Sequence, residues 1–295
     1  MPTAPLIAEP DEDEGDLSAE AIARLPLAEQ VVARIDKAYA DEAPDTPRSY
    51  IGASSVGTKC DAEIALSLRG FPNTVTPPKL KRIFRDGHRI ERTVVNDLRK
   101  AGYRVLEVDE TTGRQWRFEL AGGHVVCNTD GLIDLEGNEV LDLLEIKSMN
   151  NKMWSTFESK GVRESHPKYW DQMQMMGGMG GYRRALFIAY NKDTSLYACE
   201  IVEIDPMEWS YIKGRIETVW KGQARKISDD PESFFCRFCF KADACWGRVQ
   251  PDRACRTCEH AAPDARSGGW WCRKHSHDAV ATCADWTVFK PLDKA

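Results

Sequence analysis

The chain has 295 residues, of which 42% are hydrophobic and 29% are charged, proportions typical of a globular protein in water. This length is enough for one large domain or two smaller ones. No apolar stretch approaches the roughly 20 residues of a membrane-spanning helix, and the acidic N-terminus lacks the basic region of a secretory signal. We therefore expect a cytoplasmic protein with no membrane partner, whose ten cysteines are metal ligands or core thiols rather than disulfides.

The net charge of −6 is unevenly distributed along the chain. Residues 1–46 carry a net charge of −9, so the rest of the chain carries +3. The densest basic run lies in a segment with helical spacing and consists of Lys79, Lys81, Arg82, Arg85, Arg89 and Arg92. These side chains form either a solvated helix face or a surface that contacts phosphates.

The first elements belong to the acidic leader. Residues 1–16 are acidic and poor in aromatic side chains, which predicts disorder. Helical spacing runs from Leu17 to Ala40, and Pro26 is expected to break or kink this helix.

Two consecutive prolines, at positions 77 and 78, open a longer predicted helix that ends near Lys100, just before Gly102. Its apolar stripe, continued through the middle of the helix, places His88 and Glu91 on the buried face. A buried histidine alone is often only a core residue. A His and a Glu one turn apart on an inward face indicate a site instead.

Strand-like segments come next in the chain. They are Tyr103–Val108, Gln115–Leu120, His124–Cys127, Thr129–Leu135 and Val140–Lys147. Residues 136–139 read as the hairpin turn between the last two. Helices are expected near 151–160, 167–180 and 206–226, with a strand pair at 185–190 and 196–204. This order predicts an α/β fold in which helices flank a mixed central sheet.

The strand Val140–Lys147 is apolar on both faces before its end, so we expect it to be central in the sheet. Glu145 and Lys147 share one face because side chains alternate along a strand. A charged pair there needs compensation, which is either a mutual salt bridge or a metal ion held by Glu145. Asp130 on the partner strand supplies a second carboxylate. With the Ile146 backbone carbonyl and waters, these oxygens suit Mg²⁺ or Mn²⁺, and Lys147 can stabilise charge on an attacked phosphate.

This arrangement resembles RecB-type nucleases of the PD-(D/E)xK superfamily, which have a restriction-endonuclease-like core. The chain is more closely similar to their iron–sulfur branch, which includes the CRISPR-associated adaptation exonuclease, the AddB nuclease domain and phage relatives. In that branch a His on an early helix, an Asp, an E-x-K and a Gln on the next helix form the active site. The matching residues are His88, Asp130, Glu145, Lys147 and Gln172. The resemblance covers roughly residues 50–247.

The resemblance implies roles for these residues. His88, Asp130, Glu145 and the Ile146 carbonyl are expected to hold Mg²⁺ or Mn²⁺, with Glu91 as an auxiliary residue. The family has a tyrosine four residues after the glutamine, where this chain has Met176. Tyr169, one turn before Gln172, is expected to take its place as an auxiliary residue.

Four cysteines are divided between the two ends of this core. Cys60 stands alone, and Cys236, Cys239 and Cys245 form a C-x2-C-x5-C group. Spacing alone leaves two metals open, because tetrahedral thiolate sites accept zinc or iron. The resemblance implies a four-iron four-sulfur cluster, which would staple the early part of the chain to the late part.

A second cysteine group ends the chain, with the spacing C-x2-C-x13-C-x10-C. It consists of Cys255, Cys258, Cys272 and Cys283. Two close cysteines followed by two spaced ones indicate a zinc-ribbon-like site. His260, His275 or His277 could replace one of these ligands.

We therefore expect an acidic leader (1–46), a nuclease core closed by an iron–sulfur cluster (47–248) and a zinc-ribbon-like tail (249–295). The resemblance implies a metal-dependent DNA exonuclease that acts on single-stranded ends. It would work in the cytoplasm of a bacterium or a phage-infected bacterium, with recombination, helicase or CRISPR proteins as partners. The alternative is a nucleic-acid-binding adaptor whose nuclease core is structural and inactive.

Overall fold

A computed structural model describes residues 16–44 and 46–294. The segment expected to be disordered, residues 1–16, lies outside the described residues apart from Asp16. The helices are α1 (Ala19–Ala23), α2 (Leu27–Ala40), α3 (Ala53–Val56), α4 (Asp61–Leu68), α5 (Pro78–Lys100), α6 (Asn151–Ser165), α7 (Pro167–Gly180), α8 (Pro206–Trp220), α9 (Phe234–Arg237) and α10 (Ala242–Cys245). The strands are β1 (Ile51–Gly52), β2 (Arg104–Leu106), β3 (Val108–Asp109), β4 (Arg114–Gln115), β5 (Arg117–Leu120), β6 (Val125–Asn128), β7 (Gly131–Asp134), β8 (Asp142–Met149), β9 (Arg184–Asn191), β10 (Tyr197–Glu203), β11 (Ala261–Pro263), β12 (Trp270–Cys272) and β13 (His277–Asp278).

The central sheet has five strands in the order β10-β9-β8-β7-β2. Strands β8 and β9 are parallel, and the other neighbours are antiparallel, so the mixed α/β architecture is confirmed. Strand β8 is in the middle, as its apolar run predicts. Its hairpin with β7 is also confirmed, and Asp134 closes the turn by accepting hydrogen bonds from the backbone N–H groups of Gly137 (2.7 Å) and Glu139 (2.9 Å).

Helices cover both faces of this sheet. On one face, Val94 and Val95 of α5 pack with Leu144 and Ile146 of β8. On the other face, side chains of α6 and α7 pack around Leu143. The alternation along β8 therefore places Glu145 and Lys147 on the face covered by α6 and α7. A second sheet, in the order β1-β6-β5, extends this layer.

Several predicted boundaries are confirmed and others are wrong. The leader helix is split, with Pro26 as the N-cap residue of α2. Helix α5 begins at Pro78 and ends at Lys100, followed by Gly102 with a φ of 94°. The helix expected at 206–226 ends earlier, at Trp220, because Gly222 turns the chain with a φ of 80°.

The last 46 residues that the structure describes, from 249 to 294, pack against the core. The buried guanidinium of Arg69, at the end of α4, donates hydrogen bonds to the carbonyls of Arg256 (3.0 Å), Cys258 (2.9 Å) and Ala261 (2.9 Å). The same guanidinium lies 3.9 Å from the ring centroid of Phe289, which is buried. A small antiparallel sheet, β11-β12-β13, is thereby fixed to the core.

The structure was also searched for membrane-spanning helices. Within residues 16–44 and 46–294, no helix is both long enough and apolar enough to cross a bilayer.

Candidate active site

The hairpin between β7 and β8 brings the two predicted carboxylates together. The register pairs Gly131 with Leu144, so Asp130, just before β7, comes level with Glu145. Thr129 is fully buried, and its hydroxyl donates to the carbonyls of Leu144 (2.9 Å) and Gly131 (3.0 Å). These hydrogen bonds hold the residues just before β7 against β8. Sequence reasoning missed Thr129, because a threonine beside the motif carries no local signal.

Asp130 is bonded directly to the β8 backbone. Its Oδ2 accepts a hydrogen bond of 2.8 Å from the N–H of Ile146. In a strand, the N–H and C=O of one residue point to the same edge, so the Ile146 carbonyl also points towards the β7 side. The pairing of β7 with β8 stops at Gly131, the first residue of β7, so β7 supplies no backbone hydrogen-bond partner to Ile146. That carbonyl is therefore available as an oxygen ligand.

Glu145 is 1% exposed, and this burial defines the chemistry of the site. Its Oε1 forms an ion pair with the ammonium of Lys147. Its Oε2 has no hydrogen-bond partner in the described part of the chain. A buried carboxylate oxygen without a partner is costly, and a divalent cation is one of the few groups that can stabilise it.

The pKa shifts follow from this burial. Burial raises the pKa of Glu145 to about 7, and Lys147 opposes part of that rise. Burial also raises the pKa of Asp130, again against the effect of Lys147. For Lys147, burial lowers the pKa, but the carboxylates of Glu145 and Asp130 outweigh burial and raise it. Lys147 therefore stays charged between two carboxylates.

Tyr169 of α7 lies against Lys147, whose Nζ is 5.2 Å from the centroid of the Tyr169 ring. The Tyr169 ring also stacks on His166, with ring centroids 5.5 Å apart and an interplanar angle of 11°. A cation over an aromatic face is attracted electrostatically, so the ring helps to fix the ammonium. The structure thus brings the predicted auxiliary residue to Lys147.

Gln172 lies one turn further along α7 and is half-buried. It makes no side-chain hydrogen bond to another described residue. The structure therefore places Gln172 on the helix that carries Tyr169, where no hydrogen bond to another described residue assigns its side chain a role.

His88 and Glu91 lie on α5 with His88 Nδ1 3.3 Å from Glu91 Oε2. The expectation that both lie on the buried face is wrong, because the His88 side chain is 76% exposed and the Glu91 side chain 36%. Ile83 and Phe84, in the first half of the same stripe, are also exposed (37% and 47%), so this part of the stripe is not buried in the core. Both groups nevertheless act electrostatically on Asp130, where Glu91 raises the pKa and His88 lowers it.

A polar cleft opens between α5 and the start of β7. It is lined by Glu91, Arg92, Val95, Glu107, Val108, Gln115, Asp130 and Ile146. Arg92 gives this cleft a positive charge beside the carboxylates, which suits an approaching phosphate. The sequence placed Arg92 in a basic run but gave no indication that it faces the acidic centre.

The donor set fits a hard divalent cation. The buried carboxylate of Glu145, the half-buried carboxylate of Asp130 and a backbone carbonyl without a β7 partner are all oxygen ligands, which Mg²⁺ and Mn²⁺ prefer. The oxygen of Glu145 without a hydrogen-bond partner is the observation that such an ion would explain.

The first cysteine set converges on one pocket. Cys60 is the N-cap residue of α4, and Cys236, Cys239 and Cys245 come from the α9–α10 segment. Burial raises the pKa of the Cys245 thiol to about 11 and also raises that of Cys239. The ammonium-bearing side chains of two lysines, 226 and 241, line the same pocket.

The second cysteine set gathers in the tail around β12. Cys258 is buried, and burial raises the pKa of Cys255, with the other three thiols of the set as a smaller cause. The Cys283 sulfur is 3.8 Å from His275 Nε2, which is 3.1 Å from a carboxylate oxygen of Asp285. Ligand atoms of these last three residues all lie within 4.8 Å of one another. The structure therefore favours His275 among the three histidines named from the sequence.

The chain was compared with known proteins. No family model and no curated protein matches it. Among solved structures it is similar to an alkaline exonuclease (LHK-Exo) from Laribacter hongkongensis, with 20% identity and a TM-score of 0.42 over 63% of this chain and 89% of that one. The complex of LHK-Exo with dAMP gives the same identity and coverage with a TM-score of 0.43. The structure of SSO0001 is 11% identical, with a TM-score of 0.44 over 77% of this chain and 100% of the other.

Proposed function

We propose that the chain is a metal-dependent DNA nuclease that acts on single-stranded ends. The observation that carries this proposal is the buried Glu145 carboxylate, which has one oxygen paired with Lys147 and the other without a partner. A purely structural salt bridge explains the first oxygen but leaves the second uncompensated. A cation held between Asp130 and Glu145 compensates both carboxylates.

Each residue then has a defined task. Asp130, Glu145 and the Ile146 carbonyl hold Mg²⁺ or Mn²⁺, and a bound ion supplies polarisation of the phosphodiester and activation of water. Lys147, kept charged by its two carboxylate neighbours, stabilises negative charge that develops on the phosphate. Tyr169 positions the Lys147 ammonium.

Residues on the two helices contribute from the rim of the site. His88 and Glu91 approach from α5, where His88 is exposed and free to turn towards a metal or a phosphate. Gln172 on α7 contacts the substrate strand. Arg92 draws the phosphate backbone into the cleft.

The digestion of defined DNA substrates tests this function. With Mg²⁺ or Mn²⁺, we expect the protein to degrade a 5′-labelled linear single strand and to leave a covalently closed single-stranded circle intact, because an exonuclease needs an end. EDTA should stop the reaction. Cleavage of the circle at the same rate would indicate an endonuclease. Tight DNA binding without cleavage in either metal would favour an adaptor with an inactive core.

We also propose that Cys60, Cys236, Cys239 and Cys245 hold a four-iron four-sulfur cluster. The convergence of these four cysteines from distant parts of the chain on one pocket supports this proposal, because a cluster needs all four thiolates around it. Anaerobically purified protein should be brown, absorb near ~400 nm and contain about four irons per chain. Cys236→Ala should lose the colour, whereas Cys199→Ala, which removes an exposed thiol on β10, should keep it.

A metal count decides this prediction. If the protein contains no iron, and Cys236→Ala lowers its zinc content by one, the pocket is a zinc site.

For the tail, we propose that zinc is held by Cys255, Cys258, Cys272 and Cys283, with His275 as the alternative fourth ligand.

A further inference from the structure

Helix α2 lies across the basic half of α5 and is held there by polar contacts. Asp36 forms an ion pair of 2.5 Å with Arg82. Lys81 donates a hydrogen bond of 2.6 Å to the Tyr39 carbonyl and lies 3.4 Å from the Glu42 carboxylate. The acidic leader therefore covers the residues that the sequence left open as a phosphate-binding surface.

Tyr39 adds a second kind of contact to the same interface. Its ring lies beneath two guanidinium groups, with centroid distances of 5.4 Å to Arg82 and 5.9 Å to Arg85. Its hydroxyl accepts a hydrogen bond of 2.5 Å from Arg85. A nucleic-acid strand offers arginine two similar groups. Its bases are aromatic rings, like the ring of Tyr39, and its phosphates are anions, like the nearby carboxylates.

The attachment of α2 to the rest of the protein is weak. No residue of α2 is buried, and apolar side chains such as Leu27 (77% exposed), Val32 (59%) and Ile35 (48%) face solvent. Ion pairs between half-exposed side chains are weak, because water and salt screen their charges. An element with no buried apolar contact and exposed polar contacts belongs to the least stable part of a fold.

The covered surface leads directly to the candidate active site. The ion-paired residues Lys81, Arg82 and Arg85 precede Arg92 on the same helix, and Arg92 lines the cleft that contains Asp130. At 1.5 Å per residue, Lys81 and Arg92 are separated by about 17 Å along α5. A few nucleotides of an extended strand span that distance, so one strand can contact both regions while its end lies in the cleft.

We propose that this basic face of α5 binds the phosphates of the DNA strand, and that α2 occupies it as an acidic competitor which the strand displaces. The proposal rests on the proposed nuclease function, because it names the path of the substrate to that site. The carboxylates of Asp36 and Glu42 neutralise the donors that a phosphate would use. Exchange of these weak pairs for phosphate contacts leaves α2 free to move aside.

The first test measures binding of the full chain to a fluorescein-labelled 20-nucleotide oligothymidylate, in EDTA so that no cleavage occurs. The variant Asp36→Asn/Glu42→Gln keeps the shape of α2 but loses both carboxylates that face α5. It should bind the oligonucleotide about three- to tenfold more tightly than the wild type. The control Glu29→Gln/Asp41→Asn removes the same charge from the same segment, where Asp41 forms an ion pair with Lys37 of α2. It should bind within about twofold of the wild type.

The second test follows α2 itself by hydrogen–deuterium exchange in the wild-type protein. A saturating concentration of the oligonucleotide should speed exchange of the α2 amides, because the displaced helix loses its attachment. Unchanged or slower exchange of α2 would overturn the proposal, as would equal affinities of the two double variants. If the wild type cleaves DNA but either of these results is found, only the displacement is wrong. If neither the wild type nor the variants bind or cleave DNA, the nuclease function fails as well.

Discussion

Glu145→Gln is expected to reduce DNA cleavage by at least about a thousandfold while the protein stays folded. The amide has the shape of the carboxylate but no negative charge, so it cannot hold a divalent cation beside Asp130. Single-turnover cleavage of a labelled oligonucleotide in Mg²⁺ measures the loss. Calorimetric titration with Mn²⁺ should show that the variant has lost its metal binding.

The matched control is Glu203→Gln on β10, an exposed glutamate of the same sheet. It should leave cleavage and metal binding unchanged. Asp130→Asn should resemble Glu145→Gln, because its single amide oxygen can still accept the hydrogen bond from the Ile146 N–H while the charge is gone. If Glu145→Gln and Asp130→Asn both cleave at nearly the wild-type rate in Mn²⁺, the acidic centre is not the active site.

Arg69→Met is expected to lower the free energy of unfolding by about 3–5 kcal/mol. The substitution removes three hydrogen bonds to tail carbonyls and leaves those carbonyls without a donor in a buried interface. Methionine fills much of the volume but cannot donate. Urea unfolding, followed by tryptophan fluorescence, measures the change.

Arg266→Met serves as the control, since Arg266 is a tail residue with a 95% exposed side chain. It should change the free energy of unfolding by less than about 0.5 kcal/mol. Equal effects of the two substitutions would show that the tail is only loosely attached to the core. A large effect of Arg69→Met alone would show that residues 249–294 cannot be removed without weakening the core.

The central sheet and the acidic centre could be predicted from the sequence because their signals are local. Strand β8 is apolar on both faces, and alternation alone puts Glu145 and Lys147 on one face. The hairpin turn fixes the pairing with β7, which brings Asp130 level with Glu145. The convergence of Cys60 with the late cysteines came from the resemblance, and the structure does place all four around one pocket.

The remaining features depend on contacts between distant parts of the chain, which the hydrophobic periodicity of the sequence does not show. The stripe on α5 showed which side of the helix points inward, but not that its first half, with Ile83, Phe84 and His88, stays exposed. Arg69 reads as a surface residue at the end of a helix, and its buried position depends on carbonyls 187 to 192 residues away. No local pattern encodes a contact of that range.

The position of α4 also has a consequence for the order in which the protein folds during synthesis. The N-cap residue of this early helix, Cys60, faces cysteines near position 240, and its C-cap residue, Arg69, is bonded to carbonyls in the tail. The ribosome therefore releases the central sheet before α4 has these late neighbours. Contacts of such long range close slowly, and the uncovered surface of α4 is open to wrong partners in the meantime. A chain stalled before residue 236 should therefore expose α4 to chaperones and proteases, although the hairpin that holds Asp130 and Glu145 is already complete.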